Sequence, residues 1–373
     1  MPLDPDRLNE LAERCSREPA DGILPSAQVA VGLDGEIAWA RTFGQADDAS
    51  QYAVFSCTKA FVAAVCWQLF AEGSLDPDAP VATYWPEFGA NGKGSVTVGQ
   101  LLSHTSGFPR APLGQRTWGT RESRRAAMEG WRCTWEPGSQ FEYHPTAAHW
   151  VLGELVHMVD GCSLGDAARA RLFEPLGMTS TFIGVPVDRQ DGIVHLSDVG
   201  QFPTPEEIRQ VFGVDTYDLG EVTPEALLAF NDPEVRAIGV PGGGGVSTAV
   251  DLARFYQALL HDPGGIFDPS WLARGTGDVI NMFPDPVLTQ PASRTLGLIV
   301  ANDDGRAFMR GMGHTVGPRA FGHNGAAGQI AWADPDSGLS FVYLTNGIDR
   351  NFLRESRRVS GIASRAGLLT TPR

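Results

Sequence analysis

An antiparallel β-sheet flanked by helices from the two chain ends, with a mostly helical lobe inserted between them, is the α+β fold that three observations predict. The amino-terminal stretch reads as a helix followed by a two-stranded hairpin, the last stretch reads as two strands followed by a helix, and the signals between them have helical period. Taken in order, Leu8, Leu11 and Cys15 fall on one face of a short helix, and Gln28 to Gly32 and Glu36 to Arg41 alternate around Asp34-Gly35, a strong hairpin signal. The middle predicts helices at Thr58 to Ala71, Val98 to Leu102, Arg121 to Met128, Ala147 to Val159, Leu164 to Leu172, Pro205 to Phe212 and Val250 to Leu260. Pro- and Gly-rich connections at Pro109 to Gly119 and Ile238 to Gly245 punctuate it, neither of them polar enough for a free linker. Gln329 to Ala333 and Leu339 to Thr345 then read as strands joined by a turn-rich Asp334-Pro335-Asp336-Ser337-Gly338, and Asn351 to Leu368 as a closing helix. The lobes expected are an α/β sheet lobe of residues 1–60 and 290–373 and a mostly helical lobe of residues 61–289, with the active site between them. A chain of 373 residues has room for both.

Composition narrows the function. With 29 basic against 44 acidic residues the net charge is -15, which excludes nucleic acid and anionic membrane surfaces, since both need basic patches. The longest apolar run, from Ala60, is broken by Gln68 and falls short of the roughly 20 residues that span a bilayer, so no membrane span is expected. Met1 to Glu18 carries four acidic residues before Glu18 and no apolar segment behind a basic start, unlike a secretory signal. The five cysteines are scattered and lack C-x-x-C spacing, which fits a reducing compartment and argues against a disulfide framework or zinc site. A cytoplasmic enzyme acting on a small molecule is the expectation.

Lysine is the informative residue. Of 29 basic residues only Lys59 and Lys93 are lysine, so arginine serves wherever a generic positive charge will do. Arginine stays protonated, whereas a lysine desolvated in an apolar setting can lose its proton and act as a base. Lys59 opens the most apolar predicted helix and follows Ser56 by three residues, which puts amine and hydroxyl on one face, one turn apart. That is a nucleophile beside a base, although the same residues also suit a helix cap and a snorkelling lysine.

Three further segments accompany Ser56-Cys57-Thr58-Lys59: Leu101-Leu102-Ser103-His104-Thr105-Ser106-Gly107, Phe141-Glu142-Tyr143-His144-Pro145 and Gly322-His323-Asn324-Gly325-Ala326. In order and spacing the set resembles the serine hydrolases of the class C β-lactamase and penicillin-recognising superfamily, and within it the family VIII carboxylesterases, over roughly residues 25 to 350. The resemblance implies a β-lactamase-like fold. It also implies Ser56 as the acylated nucleophile, Lys59 as its proton acceptor, and Tyr143 as second base and later donor to the leaving group. It counts His323, on an edge strand, among the catalytic residues, hydrogen-bonding the Tyr143 side of the pocket, sets Gly325 and Asn324 against the substrate, and builds the oxyanion hole from the amides of Ser56 and Ala326. No cofactor and no metal are implied. His104 is assigned to the scaffold, and the spacing of His144 and His149 does not suit two metal ligands on one helix face. Ser247, in Gly245-Val246-Ser247-Thr248-Ala249, mimics a nucleophile elbow, but Pro241 and four glycines precede it, so it is read as the cap of the helix starting near Val250.

Two departures from the family pattern bear on substrate. Proline at 145 replaces an asparagine that would hold a substrate amide, and His323 replaces a lysine that would offer a permanent cation to a carboxylate. Both losses favour small neutral esters over anionic β-lactams. The expected activity is therefore ester hydrolysis through an acyl-serine. Acyl transfer, β-lactamase or D-amino-acid peptidase or amidase activity on the same scaffold, and a non-catalytic binding descendant, are the alternatives.

Overall fold

The computed structural model describes residues 2–114, 117–216, 220 and 222–370; residues 115 and 116 of the Pro109–Gly119 connection lie outside it. The strands are β1 (Ser26–Leu33), β2 (Glu36–Gly44), β3 (Tyr52–Phe55), β4 (Phe182–Ile183), β5 (Ser197–Val199), β6 (Gly245–Ser247), β7 (Ile299–Val300), β8 (Phe321–Gly322), β9 (Ile330–Asp334), β10 (Leu339–Thr345) and β11 (Gly347–Asp349). Six of them form one sheet in the order β2-β1-β10-β9-β8-β7, with every neighbouring pair antiparallel. Asp34 and Gly35 close the first hairpin at φ of 53° and 92°, both left-handed, as the tight turn between right-twisted strands requires.

Strand alternation sorts the side chains of this sheet onto two buried faces. Val29 and Val31 of β1, Trp332 of β9 and Phe341 and Tyr343 of β10 point to the layer formed by helix Pro5–Ala20 and helix Phe352–Ala366, which contribute Leu11, Cys15 and Ile362. Asp4 caps the first of these helices by accepting from the amides of Asp6 and Arg7, and its own amide donates to Leu369 O at 2.9 Å, tying the chain ends together. Ala30, Ala331, Val342 and Leu344 point the other way, into the larger core. Because both faces are covered, β1 is buried along its whole length.

On that second face lies helix Ala249–His261, from the stretch expected to be mostly helical. Gln257 fastens it, accepting from Gly35 N at 2.7 Å and donating to Ser340 Oγ at 3.0 Å. Beneath it runs helix Thr58–Ala71, buried on every side from Thr58 to Phe70, as a helix apolar all round must be. The three-stranded sheet β3-β6-β4 holds the start of this buried helix, and Gly245 N donates to Thr58 Oγ1 at 2.9 Å.

Candidate active site

The turn from β3 into the buried helix presents Ser56. Phe55, just before it, has φ 43°, a left-handed conformation that a bulky residue adopts only when its surroundings impose it. Phe55 is locked there by its burial, its edge-on packing against Phe230 at 5.7 Å and the ladder to Gly245. Ser56 is thereby set at the mouth of the helix with its hydroxyl between two groups: Lys59 Nζ at 3.2 Å and Tyr143 Oη, which donates to Ser56 Oγ at 3.0 Å.

Lys59 is fully buried with no carboxylate partner among the described residues. Its amine donates to the carbonyls of Pro145 at 2.7 Å and Gly242 at 2.6 Å. Burial, reinforced by the Arg294 charge and opposed by Tyr143, holds its pKa below the usual lysine value. A neutral amine has two N–H donors and one lone pair. In that form, with the two carbonyls taking the donors, the lone pair would be left for the Ser56 hydroxyl, which Nζ approaches at 3.2 Å. Lys93 shows the contrasting use of a buried lysine: its three donors are spent on the carbonyls of Ala90, Glu129 and Trp131. Both lysines thus place a compact nitrogen among converging carbonyls, a geometry unlike the planar fork of a guanidinium.

His323 follows β8, its ring 6.1 Å from that of Tyr143. The strand is not the edge of the sheet, because β7 lies outside it. His323 Nδ1 meets Asn324 O at 2.9 Å and Nε2 meets Arg294 Nη1 at 3.3 Å. Burial first, then the charges of Arg294 and Lys59, keep its pKa well below the ordinary histidine value, so the ring stays neutral. Gly325 is required where it stands: a Cβ there would collide with Val54 O and with the Gln329 side chain. Its absence lets the Gly325 backbone approach β3, the strand just before Ser56. Asn324, expected to face the substrate, instead spends its amide on the scaffold, donating to Gly311 O at 3.0 Å and accepting from Ala331 N at 3.0 Å. Ser247 is not the cap of the following helix. Thr248 is, accepting from Asp251 N, while Ser247 Oγ is bonded to Thr181 Oγ1 at 2.7 Å inside β6.

One residue of this site escaped the sequence. Arg294 is buried, forms no ion pair among the described residues, and lies with its guanidinium carbon 5.3 Å from the Tyr143 ring centre and 5.6 Å from that of Phe141. The pocket expected to lack a fixed cation at His323 therefore has one beside it, supplied from a different strand connection. Nothing in a chain this rich in arginine set Arg294 apart. Behind Tyr143, three buried histidines form a second layer. The His104 ring lies 4.7 Å from Tyr143 and 5.7 Å from both His144 and His149. His104 Nδ1 accepts from His144 N, and Ser106 Oγ bonds to His144 Nε2. Among the described residues no group of three histidine, cysteine or carboxylate side chains is arranged to hold a metal ion.

This geometry makes two substitutions informative. Lys59→Arg substitutes a group that stays protonated and cannot accept the Ser56 proton, so kcat should fall at least about 100-fold, the lower end for a lost general base. Tyr143→Phe deletes only the hydroxyl at Ser56 Oγ and should cost a similar factor, and a kcat within about twofold of wild type in steady-state assays would make the tyrosine structural.

The beta-lactamase family model matches residues 11–362. The esterase/beta-lactamase LipL of Mycobacterium tuberculosis is 30% identical over 85% of this chain and 76% of its own length. The esterase EstB of Burkholderia gladioli is 29% identical over 72% of each chain. Among solved structures, a family VIII carboxylesterase superposes with a TM-score of 0.79 at 26% identity, covering 98% of this chain and 99% of its own. A penicillin-binding protein homologue from Caulobacter crescentus gives 0.78 at 28% identity, with 98% and 99% covered.

Proposed function

The chain belongs to the beta-lactamase family and is a serine hydrolase of that fold, and from that premise we propose that it cleaves small neutral carboxylic esters through an acyl-serine intermediate. The observation that carries the reading is the three-membered contact of Ser56 Oγ with Lys59 Nζ and Tyr143 Oη. Lys59, as the neutral amine, takes the Ser56 proton as Oγ attacks the ester carbonyl. The amides of Ser56 and Ala326 receive the developing oxyanion, and Tyr143 gives its proton to the departing alkoxide. Water then repeats the steps in reverse sense to release the acid. The pocket lies between the sheet lobe of residues 1–60 and 290–373 and the mostly helical stretch of 61–289, and no cofactor enters the reaction.

The preference for esters rests on two features. Pro145 offers no side-chain amide for a β-lactam's acylamino group, and its carbonyl is already taken by Lys59. Esterases among the relatives support the same direction. Arg294 favours a second reading, in which the substrate carries a carboxylate, because a buried guanidinium is the fixed cation that such a group needs. The discriminating measurement is kcat/KM for p-nitrophenyl butyrate against a chromogenic cephalosporin on one preparation. The missing amide contact alone leaves a polar group unmatched at about 1 to 3 kcal/mol, so the ester should lead by about fivefold or more. A clear lead for the cephalosporin would overturn the neutral-ester assignment and point to Arg294 as its carboxylate anchor.

A further inference from the structure

A cavity of about 490 Å³ lies on the far side of the loop that holds Lys59, and none of Ser56, Lys59, Tyr143 or His323 lines it. Its volume is that of a small-molecule site. In a protein of net charge -15 its wall is unusually basic. Four arginines, Arg121, Arg124, Arg169 and Arg189, face two carboxylates in the lining: Glu154, paired with Arg121 and with Arg125, and Asp166, 3.7 Å from Arg169. Arg124 and Arg189, both in the lining, have no carboxylate within ion-pair distance among the described residues. Arg124 instead donates to Trp118 O and lies with its guanidinium carbon 5.5 Å from the Trp150 ring centre. Trp150, 5% exposed, buries an indole N–H that has no acceptor. A guanidinium without a carboxylate partner at Arg189, a second at Arg124 held only by a carbonyl and an indole face, and the unmet N–H of Trp150 describe a receptor for an anion with an apolar body.

The same wall touches the catalytic apparatus. Pro241 lines the cavity, and the next residue, Gly242, supplies the carbonyl that accepts from Lys59 Nζ at 2.6 Å. Gly153, also in the lining, leaves the room that Pro241 occupies, since a Cβ there would come within 2.9 Å of the proline ring. We propose that this cavity is a second binding site, for a small amphipathic carboxylate of the kind ester hydrolysis releases, and that its occupancy acts on Lys59 through the Pro241–Gly242 loop. The choice of a product-like acid rests on the esterase reading; the existence of an anion site does not.

Calorimetric titration of the Ser56→Ala protein with benzoate, and with benzamide as the neutral counterpart, tests the site without any need for turnover. Saturable binding of benzoate and none of benzamide is expected. Arg189→Gln changes an exposed side chain with no ion-pair partner among the described residues, and it should weaken benzoate at least about tenfold, as should Arg124→Gln. Absence of saturable binding in the millimolar range overturns the proposal. So does binding that survives both substitutions but disappears in Arg294→Gln, which would place the acid in the catalytic pocket. In wild-type enzyme, benzoate should lower kcat for p-nitrophenyl butyrate while leaving KM within about twofold, and that effect should vanish in Arg189→Gln. Purely competitive inhibition would overturn the coupling to Lys59.

Discussion

Ser56→Ala will reduce kcat on p-nitrophenyl butyrate by at least about 10⁴-fold and abolish labelling by a fluorophosphonate probe, with the circular dichroism spectrum and melting temperature unchanged. The magnitude follows from removing the atom that forms the acyl bond, which in serine hydrolases leaves only the catalysis that binding and oxyanion stabilisation provide. The fold is safe because the Ser56 hydroxyl's bonds are to Lys59 and Tyr143 and no strand or helix depends on them. Ser247, the rival in sequence, cannot take over: its hydroxyl is buried against Thr181 and the Thr248 carbonyl, with neither an amine nor an imidazole among its hydrogen-bond partners. Labelling that persists undiminished in Ser56→Ala would move the nucleophile elsewhere.

The second large effect is a steep loss of stability in mild acid. His104, His149 and His323 have pKa values held well below the ordinary histidine value and His144 is held at about 3, in each case chiefly by burial. The unfolded chain takes up those four protons near pH 6.5, whereas the folded chain refuses them until far lower pH, so this contribution to stability is complete above 6.5 and is lost as pH falls. Glu355 works the other way: desolvation raises its carboxyl to about 7, and the folded state gains by holding that proton early, as does Asp251 to a lesser extent nearer its ordinary range. About three net protons near pH 5.5 correspond to a slope of roughly 4 kcal/mol per pH unit. Against a usual domain stability of about 5 to 15 kcal/mol, that slope puts the acid-unfolding midpoint between about pH 5 and pH 3. Melting temperatures by circular dichroism between pH 7.5 and 5 should fall steeply, and less so in His149→Phe, which removes a ring with both nitrogens buried and unpartnered. A melting temperature flat over that interval would mean that the histidines titrate freely in the folded protein.

Residues that carry periodic or chemical signal were legible without coordinates. Helix Thr58–Ala71 and strand Leu339–Thr345 end where the sequence placed their ends, because long apolar runs bounded by polar turns admit few alternatives. Ser56 and Lys59 were legible as candidate chemistry because a lysine one turn from a serine is scarce in this chain, and Tyr143 only through the family resemblance. The strands β3, β4, β6, β7 and β8 were not, since two to four residues have no period to read. Leu164–Leu172, expected as one helix, breaks at Ala168 into a wider π turn over Arg169–Phe173, a change of winding that composition does not announce. Arg294 was hidden for a different reason. Its role comes from lying near His323 and Tyr143 without any opposing carboxylate, and that isolation is a property of the packed chain, not of its neighbours in sequence.

The antiparallel match of β1 with β10, from Ala27 opposite Thr345 to Leu33 opposite Leu339, joins segments that lie far apart along the polypeptide. On the ribosome, the first hairpin must wait for more than 300 residues to be made before its main partner exists, and loop closure over that span is slow. Until then Val29 and Val31 have no helical cover from the far end and lie open to other strands. Nascent chains stalled before residue 339 should accordingly be bound by chaperones and cut by protease within β1, and both should cease once β10 has left the exit tunnel.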